Sequence, residues 1–521
     1  MVVAGASPDL AKLPGRPLAY LERFGFPGTV YAVNPKYDRI GPYPCFPSVN
    51  ALPESVDLAL ILLPAPAVAE ALEACGQKGI PFAISIGRGF AEAGDHTRQA
   101  ELLAICRRYG IRLVGPNCVG MLVPDGALTA TFSTELGRAM PLAGSIALVT
   151  QSGALGNALL QGVNSFGLGL RAWISTGNEA DLGLLDFLEY FIDDPHTEVI
   201  ALFTEGLRDG AKLVPLLRRA RAAGKAVVAL RAGRSEAGRG ASASHTGKLA
   251  GAFRVWSGLV RQGGLIEVDS LDEMLDVLRA FQAFGPPGID ETASLGVLTV
   301  SGGLGVIVAD RAAEYGLALP RFGDETMSTL RELLPPQMSV ANPVDTALFT
   351  SADGYARCAE LVLGDPAVRV LVLVFSSLSH RYDELAPWLR QLGERARALG
   401  KSVAATYLSS TDQLAPATQL ELLEASVLAL PSAERTVVAI GRWATARPGT
   451  SVTPEGPATM ADAGGPDALA AADIPQPHQK VCVSLHDAKA FAETIGYPVA
   501  LKVVSPDILH KTELGGGPIG F

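Results

Sequence analysis

The sequence has few cysteines and few aromatic residues. Its six cysteines are scattered and form no C-x-x-C pair, so their spacing suggests neither a zinc site nor a disulfide framework. Buried free thiols in a reducing cytoplasm are the expected alternative. No signal peptide precedes the first strand-like run, and the most apolar stretch, 57–72, is too short and too interrupted by proline to span a bilayer. We therefore expect a cytoplasmic protein.

Basic residues are outnumbered by acidic ones, and the formal net charge is −10. This balance argues against nucleic acid or an anionic membrane as a general partner. Hydrophobic residues make up 48% of the 521 positions. A chain of this length exceeds what one core organises, so three or four domains are expected.

Short apolar runs alternate with helical stretches along most of the chain. This rhythm predicts α/β domains with parallel sheets, in which buried strands read as nearly continuous apolar runs. The first series has predicted strands at 2–4, 29–33, 58–62, 82–86 and 112–114, with helices at 65–78 and 97–109. The second has strands at 145–149, 171–174, 199–203 and 226–230, and the third at 295–300, 368–374 and 402–406.

The second and third series open alike, with SIALVTQSGALGNAL and LGVLTVSGGLGVIVAD. Both predict a strand, a glycine-rich turn and a helix, which indicates a repeated flavodoxin-like unit. Composition then turns to Ala, Gly, Pro and Thr, as in a flexible linker, before a helix at 485–495 and a strand at 498–504. The predicted units are 1–126, 140–285 and 293–443, a linker at 444–472, and 473–521 as the start of a further domain.

Three features of the first series are consistent with binding of a phosphorylated ligand. Gly5 and Ser7 follow the first strand, where backbone N–H groups at a helix N-terminus can approach a phosphate. Lys36 follows the second strand and offers an ammonium, while Pro64 follows the third and can flank an adenine. A tight turn, a solvated lysine and an ordinary loop proline are the alternatives for each residue alone.

GPNCVGM, residues 115–121, follows a further strand. Its Pro116 and Asn117 favour a defined turn, and Gly120 removes bulk close to a ligand. Plain turn chemistry explains the segment equally well when it is considered alone.

TQSGALG, residues 150–156, is a stronger signal. Ser152 and Gly153 stand where a strand leads into a helix, and the free N–H groups and helix dipole there favour an anion. No glycine lies two residues before Ser152, so the nucleophile elbow of serine hydrolases is not supported. The similar SGGLG, residues 301–305, has no nearby histidine and is expected to be architectural or a secondary anion site.

Two carboxylates follow strands of the second series. Asp181, within STGNEADLG, is expected to cap the next helix. Glu205 comes directly after a strand, where a carboxylate can hydrogen-bond an imidazole; a partly exposed loop acid is the alternative.

The segment GRSEAGRGASASHTGKLAG, residues 233–251, holds a single imidazole, that of His245. A lone histidine is more often structural than catalytic. Small residues, the charges of Arg234 and Arg239 and the turn at Gly247 fit a loop that wraps an anion, and no second histidine stands at metal-ligand spacing. Phosphoryl acceptance by the imidazole is the interpretation that uses all of these features.

Lys502 lies within the last predicted strand, followed by HKTELGG. A lysine on a strand can reach nucleotide phosphates, although an edge-strand lysine facing solvent is the simpler interpretation without other information.

The motifs GPNCVG, SGALG, GNEAD, TEGLRDG, GRSEAG, SHTG, NPVD and HKTELGG occur in one order along the chain. Together they resemble the NDP-forming acyl-CoA synthetase superfamily, which includes succinyl-CoA synthetase and ADP-forming acetate–CoA ligases. The resemblance implies a Rossmann-like CoA-binding domain, two flavodoxin-like ligase domains and an ATP-grasp domain.

The resemblance also implies a reaction in which a carboxylic acid, CoA and ATP give acyl-CoA, ADP and phosphate through an acyl phosphate and a phosphohistidine. It assigns His245 as the phosphoryl carrier, Glu205 as the residue that holds the imidazole, and Ser152 and Gly153 as phosphoryl-stabilising. Mg²⁺ is expected on acids of the ATP-grasp domain, and a homo-oligomer is expected. The implied CoA-binding residues are Gly5, Ser7, Lys36, Pro64 and Asn117, and Lys502 would bind the nucleotide.

The chain ends just after HKTELGG, inside the ATP-grasp domain, so we expect most of the nucleotide site and its metal ligands to be absent. The acid is not readable, and acetate, other short or branched acids and hydroxycinnamates such as ferulate all fit. A second interpretation is a CoA-sensing or scaffold module, because some similar proteins join this body to a protein acetyltransferase domain and have lost ligase activity. The presence of His245 and Glu205 favours the ligase.

Overall fold

The computed structural model describes residues 1–9, 11–235, 237–238, 253–287, 293–346, 352–375, 382–407, 416–446, 478, 480–501 and 519–520. These residues fall into two compact units, Met1–Thr450 and Ser451–Phe521. Among them, no helix is long and apolar enough to cross a bilayer.

The first sheet of the larger unit has seven strands in the order β3-β4-β2-β1-β5-β6-β7, parallel except for the β3–β4 hairpin. The strand order reverses between β1 and β5, which opens a crevice at the carboxyl ends of those strands. The elements are β1 (Val2–Ala4), α1 (Arg16–Arg23), β2 (Tyr31–Val33), β3 (Arg39–Ile40), β4 (Tyr43–Phe46), β5 (Leu58–Ile61), α2 (Ala65–Lys78), β6 (Phe82–Ser85), α3 (His96–Tyr109) and β7 (Arg112–Val114).

The second sheet also has seven strands, in the order β14-β13-β12-β10-β11-β8-β9. Five are parallel, and the antiparallel pair β8–β9 extends the edge at β11. The elements are β8 (Gly120–Val123), β9 (Leu128–Thr131), β10 (Ala143–Thr150), α4 (Gly153–Ser165), β11 (Leu170–Ser175), α5 (Leu184–Asp193), β12 (Val199–Thr204), α6 (Leu213–Ala222), β13 (Ala226–Arg231), α7 (Phe253–Gly263), β14 (Ile266–Val268) and α8 (Leu271–Phe284).

The third sheet has the order β16-β15-β17-β18-β19, which repeats β11-β10-β12-β13-β14 strand for strand. This 2-1-3-4-5 order is that of flavodoxin-like folds, so the predicted fold class is confirmed. The elements are β15 (Leu295–Thr299), α9 (Gly302–Glu314), α10 (Asp324–Leu333), β16 (Val344–Asp345), α11 (Ala352–Gly364), β17 (Val370–Phe375), α12 (Tyr382–Ala398), β18 (Ser402–Tyr407), α13 (Pro416–Glu424), β19 (Val427–Leu430) and α14 (Ala433–Ala444).

The repeat extends to individual hydrogen bonds. After β10, Thr150 Oγ1 donates to the carbonyl of Ser152 at 2.9 Å. After β15, Thr299 Oγ1 donates to the carbonyl of Ser301 at the same distance. At the opposite edge, the Lys225 ammonium donates to the Asp194 carbonyl, and Lys401 donates to the Asp365 carbonyl at 2.6 Å. The two flavodoxin-like repeats therefore build their turns with the same hydrogen bonds.

The two flavodoxin-like units share one hydrophobic core. Helices α8 and α14 occupy equivalent places in the repeats and pack against each other between the sheets. A buried carboxylate, Asp276 of α8, accepts two hydrogen bonds from Arg435 of α14, at 2.7 and 2.9 Å. Burial raises the pKa of Asp276, against the opposing effect of Arg435. The ion pair therefore fixes the register of two helices that apolar contacts hold together.

The second sheet includes strands that begin within the predicted first domain. The first sheet ends with β7 at Val114, whereas β8 and β9 pair into the second sheet, although the predicted first unit reached residue 126. Gly120 begins β8 at φ 103°, and a Cβ there would lie 2.1 Å from the Ala130 carbonyl oxygen. A glycine is required at this close crossing.

In the smaller unit, helix α15 (Leu485–Ile495) begins at Ser484, whose hydroxyl accepts the N–H of Asp487. Strands β20 (Ala500–Leu501) and β21 (Ile519–Gly520) pair antiparallel. The predicted helix at 485–495 is confirmed.

Arg435→Ala tests the α8–α14 seam. The substitution leaves the buried Asp276 carboxylate without its bidentate partner and with only Arg279, at 3.6 Å, beside it. We expect the free energy of unfolding to fall by about 3 kcal/mol, measured by denaturant titration. Arg311→Ala is the matched control, since Arg311 pairs with Glu314 at the surface and should cost less than about 0.5 kcal/mol. Equal losses in the two variants would contradict the assigned role.

Asp194→Asn tests a second buried pair. The hydrogen bond from Arg171 lowers the pKa of Asp194 from 3.8 to about 2. The ionised Asp194 carboxylate stabilises the folded protein fully above pH 3.8, and this stabilisation is lost as the pH falls through 2. The lowering of the pKa corresponds to roughly 2 kcal/mol in the free energy of unfolding. The variant should therefore be less stable than wild type near neutrality and approach it in acid, whereas Asp193→Asn, at an exposed neighbour, should track wild type throughout.

Candidate functional site

The crevice of the first sheet gathers the residues predicted to bind CoA. Gly5 and Ser7 follow β1, Lys36 follows β2, and Pro64 follows β5, and these three strands are neighbours. Lys36 and Pro64 are exposed. Gly5 adopts φ 84°, and a Cβ there would lie 2.8 Å from Leu63 Cδ2. Backbone at the base of the crevice is thus held close to the neighbouring loop.

One detail of that prediction is wrong. The turn after β1 does not open a helix, because α1 begins only at Arg16. The N–H of Gly5 donates to the Val33 carbonyl at 3.0 Å, and that of Ser7 to the Pro14 carbonyl at 3.3 Å. These two N–H groups are engaged within the protein. The Ser7 hydroxyl accepts the N–H of Asp9 and keeps its own proton to donate.

Asn117 lies in the turn that joins the first sheet to the second. It adopts φ 57°, and its N–H donates to the Gly87 carbonyl at 2.9 Å. Its amide donates to Asn178 Oδ1 at 3.1 Å, and Asn178 in turn donates to Glu92. Burial opposes ionisation of Glu92, yet the hydrogen bonds from Asn178 and from backbone N–H groups hold its pKa below the usual value. Asn117 therefore belongs to a polar network that orders the loop after β6.

The loop after β11 forms hydrogen bonds with the turn that contains Asn117. Asp181, expected to cap a helix, instead accepts hydrogen bonds from Arg112 and from the N–H of Leu113, both at 2.9 Å. Asp186 and Glu179 cap α5 instead, by accepting the N–H groups of Gly183 and Leu184. Backbone N–H groups of Asn178, Ala180 and Leu182 donate to the carbonyls of Pro116, Gly115 and Leu113.

Ser152 is the N-cap of α4, and its hydroxyl accepts the N–H of Leu155 at 3.4 Å. Gly153 begins the helix, and a Cβ there would lie 2.6 Å from Val119 Cγ2. The early N–H groups of a helix have no intrahelical acceptors and carry its positive dipole end. This half-buried helix start has the chemistry to receive a phosphoryl group.

Glu205 follows β12 and is 9% exposed. Its N–H donates at 2.7 Å to Oε1 of Gln151, the residue that immediately precedes Ser152. The structure thus brings Glu205 and the start of α4 to the same edge of the second sheet. Sequence reasoning missed Gln151; its only local signal is an amide at the end of an apolar strand.

The turn after β15 repeats the Ser152 turn, but a carboxylate lies over its helix. A Cβ on Gly302 would lie 2.9 Å from Asp345 Oδ2. Of the two interpretations of SGGLG, the architectural one is favoured, since an acid of the chain already approaches the helix start.

Several predicted residues, His245, Arg239, Gly247 and Lys502, lie outside the described residues. Arg234 lies inside them and forms an ion pair with Asp269. Across the described ranges, no group of three or more His, Cys, Asp or Glu side chains is arranged to hold a metal ion, so no residues can be named for Mg²⁺.

Four family profiles match consecutive parts of the chain. A CoA binding domain matches residues 1–124, a succinyl-CoA ligase like flavodoxin domain 143–281, a ligase-CoA domain 295–449 and an ATP-grasp domain 452–520. The order is that of the sheets described above.

The chain is 34% identical to an ADP-forming acetate–CoA ligase of Archaeoglobus fulgidus, over 99% of this chain and 76% of the relative. It is 30% identical to an ADP-forming 4-hydroxybutyrate–CoA ligase of Nitrosopumilus maritimus, over 94% and 73%. The solved acetyl-coenzyme A synthetase 1 of Ca. Korarchaeum cryptofilum, in complex with phosphate and ADP, is 30% identical with a TM-score of 0.76, over 85% of this chain and 94% of that one. The chain therefore belongs to the ADP-forming acyl-CoA synthetase family, whose members are acid–thiol ligases.

Gly5→Ala tests the crevice of the first sheet. The added Cβ would press on Leu63, so we expect the Kd for CoA, measured by calorimetry, to rise about tenfold or more, which is roughly 1.4 kcal/mol. Gly25→Ala is matched, because Gly25 also has a positive φ, 70°, but open space around it. Both variants should lose about 1–2 kcal/mol of stability from the left-handed backbone, and Gly5→Ala should lose more because of its contact with Leu63. Only Gly5→Ala should lose CoA affinity; equal affinities would count against this location.

Proposed function

We propose that this chain catalyses the reversible ligation of a carboxylic acid to CoA, coupled to ATP through a phosphohistidine at His245. The observation that carries the proposal is the meeting of Ser152, Gly153 and Glu205 at one edge of the second sheet, joined through Gln151. A phosphohistidine needs two partners. The positive end of a helix dipole stabilises the phosphoryl group, and a carboxylate hydrogen-bonds the imidazole.

The crevice of the first sheet would hold CoA. Ser7, Lys36 and Pro64 offer a hydroxyl, an ammonium and an apolar edge around the glycine at position 5, and Asn117 lies in the network beside the loop after β6. The chemistry fits a phosphorylated adenine nucleotide with a long thiol arm. The loop pairing between the two sheets would direct that arm toward the start of α4.

The acyl-forming half of the reaction proceeds through an acyl phosphate. In the reverse direction, a phosphate oxygen attacks the thioester carbonyl and CoA leaves as the thiol after gaining a proton. The imidazole nitrogen of His245 then attacks phosphorus and the carboxylic acid departs as carboxylate. Donors at Ser152 and Gly153 would stabilise the transferring phosphoryl, and Glu205 would hold the other imidazole nitrogen.

ADP then takes the phosphoryl group from the histidine. We assign Lys502 to nucleotide binding from the sequence alone, and Mg²⁺ to acids of the ATP-grasp domain. The acid substrate is a carboxylic acid. Similar proteins are ligases of acetate and of 4-hydroxybutyrate, so these two acids are the first to assay. A homo-oligomer and a cytoplasmic location are part of the proposal, the latter supported by the free thiols of the described cysteines.

Incubation with acyl-CoA and radiolabelled phosphate should label His245 with an acid-labile, base-stable phosphate. His245→Ala should abolish labelling, and Glu205→Gln should reduce its rate by about tenfold to a hundredfold, as for loss of an orienting partner. His96→Ala, at the start of α3, is the control and should label normally. Binding of CoA without any labelling would favour the sensor or scaffold interpretation and refute the ligase.

A further inference from the structure

Gln151 forms five side-chain hydrogen bonds at the carboxyl edge of the second sheet. Its Oε1 accepts the N–H groups of Glu205 and Gly206, at 2.7 and 3.3 Å, and the Thr204 hydroxyl at 3.3 Å. Its Nε2 donates to Glu179 Oε2 at 2.9 Å and to the Gly206 carbonyl at 2.8 Å. The side chain is 6% exposed, and both amide protons and the amide oxygen are engaged.

The partners fix which way the amide points. Backbone N–H groups can only donate, so they face the amide oxygen, whereas a carboxylate and a carbonyl accept and face the amide nitrogen. A flipped amide would place donors against the Glu205 and Gly206 N–H groups and lose four of these five bonds, since only the Thr204 hydroxyl can accept as well as donate. The side chain therefore has one stable orientation, and the backbone of residues 204–206 is held in register with it.

The third sheet supplies an internal comparison. The turn after β15 has the same Thr–Ser hydrogen bonds as the turn after β10, and Thr346 donates to the Thr299 carbonyl as Thr176 donates to that of Thr150. The position that corresponds to Gln151 is Val300. The turn after β15 thus forms without a side-chain amide, so the turn itself does not require a glutamine at position 151. Burying a glutamine also costs free energy unless each of its polar atoms is paired.

We propose that Gln151 is a positioning residue for the phosphohistidine, acting through Glu205. Because Gln151 immediately precedes Ser152, its side chain links the start of α4 to the backbone of Glu205, whose carboxylate is assigned to the imidazole. Its bond to Glu179 extends the link to the loop after β11, since Glu179 Oε1 accepts the N–H of Leu184 in α5. The inference rests on the proposed function of Glu205 and His245.

Gln151→Met tests this role, since methionine has a similar length but neither amide group. We expect the rate of His245 labelling from acyl-CoA and phosphate to fall roughly 100-fold, the scale of a misplaced catalytic group, while the Kd for CoA is unchanged. Gln282→Met is the matched control: Gln282 also bridges two backbone groups, of Gly167 and Gly169, but lies on α8. It should label at the wild-type rate.

Gln151→Glu keeps the acceptor oxygens and keeps the protein testable if the methionine variant does not fold. Its ionised carboxylate would face Glu179, so labelling should be slow at neutral pH and recover in mild acid, where the protonated group donates again. A residue with a purely structural role would change thermal stability without this pH profile. Labelling within about threefold of wild type in a folded Gln151→Met, or a flat profile in Gln151→Glu, would overturn the proposal.

Wild-type labelling is measured in parallel. If wild type does not label, the ligase function itself fails; if wild type labels and the Gln151 variants label equally well, only the positioning role fails.

Discussion

The backbone pairing between the loop after β11 and the turn after β7 is the constraint on which the rest of the site depends. N–H groups of residues 178, 180 and 182 donate to carbonyls of residues 116, 115 and 113, and Asp181 adds a carboxylate to Arg112. These bonds join the edge of the first sheet to the second sheet. In the proposed reaction, a thioester bound at the first sheet must come within about 3 Å of an acceptor on the second, and the paired seam holds the two sheets in a fixed relation.

Much of the fold was predictable because its strands are apolar and its helices periodic. The helices at 65–78 and 485–495 and the strand at 112–114 agree with the structure to the residue. The missed strands have only two to four residues each, too few to carry a periodic signal; they are β3, β4, β8, β9, β14, β16, β19 and β21. Tight turns at Ser152 and Asn117 were predictable from local residue chemistry.

The parts of the site that escaped prediction depend on distant residues. Gln151 meets Glu205 across 54 positions, and Asp181 meets Arg112 across 69, so no window of sequence contains either pair. The turn at Gly5 illustrates the reverse case: its local pattern resembles a phosphate loop, but the helix that would supply the dipole begins only at Arg16. A local motif predicts a turn, whereas the tertiary fold decides which groups the turn leaves available.

The third sheet, which carries none of the proposed catalytic groups among its described residues, is nevertheless tied to the segment that holds His245. Arg234, at the start of that segment, pairs with Asp269, and Asp269 also contacts Arg442 of α14 at 3.5 Å. Arg442 donates to Glu273, which accepts the N–H of Asp269 at 2.8 Å. An alternating chain of charges thus runs from Arg234 into the shared core. Because α14 belongs to the third sheet and α8 to the second, rotation of one repeat against the other would disturb the contacts that hold Arg234. The common core of the two repeats therefore bears on the proposed phosphohistidine as well as on stability.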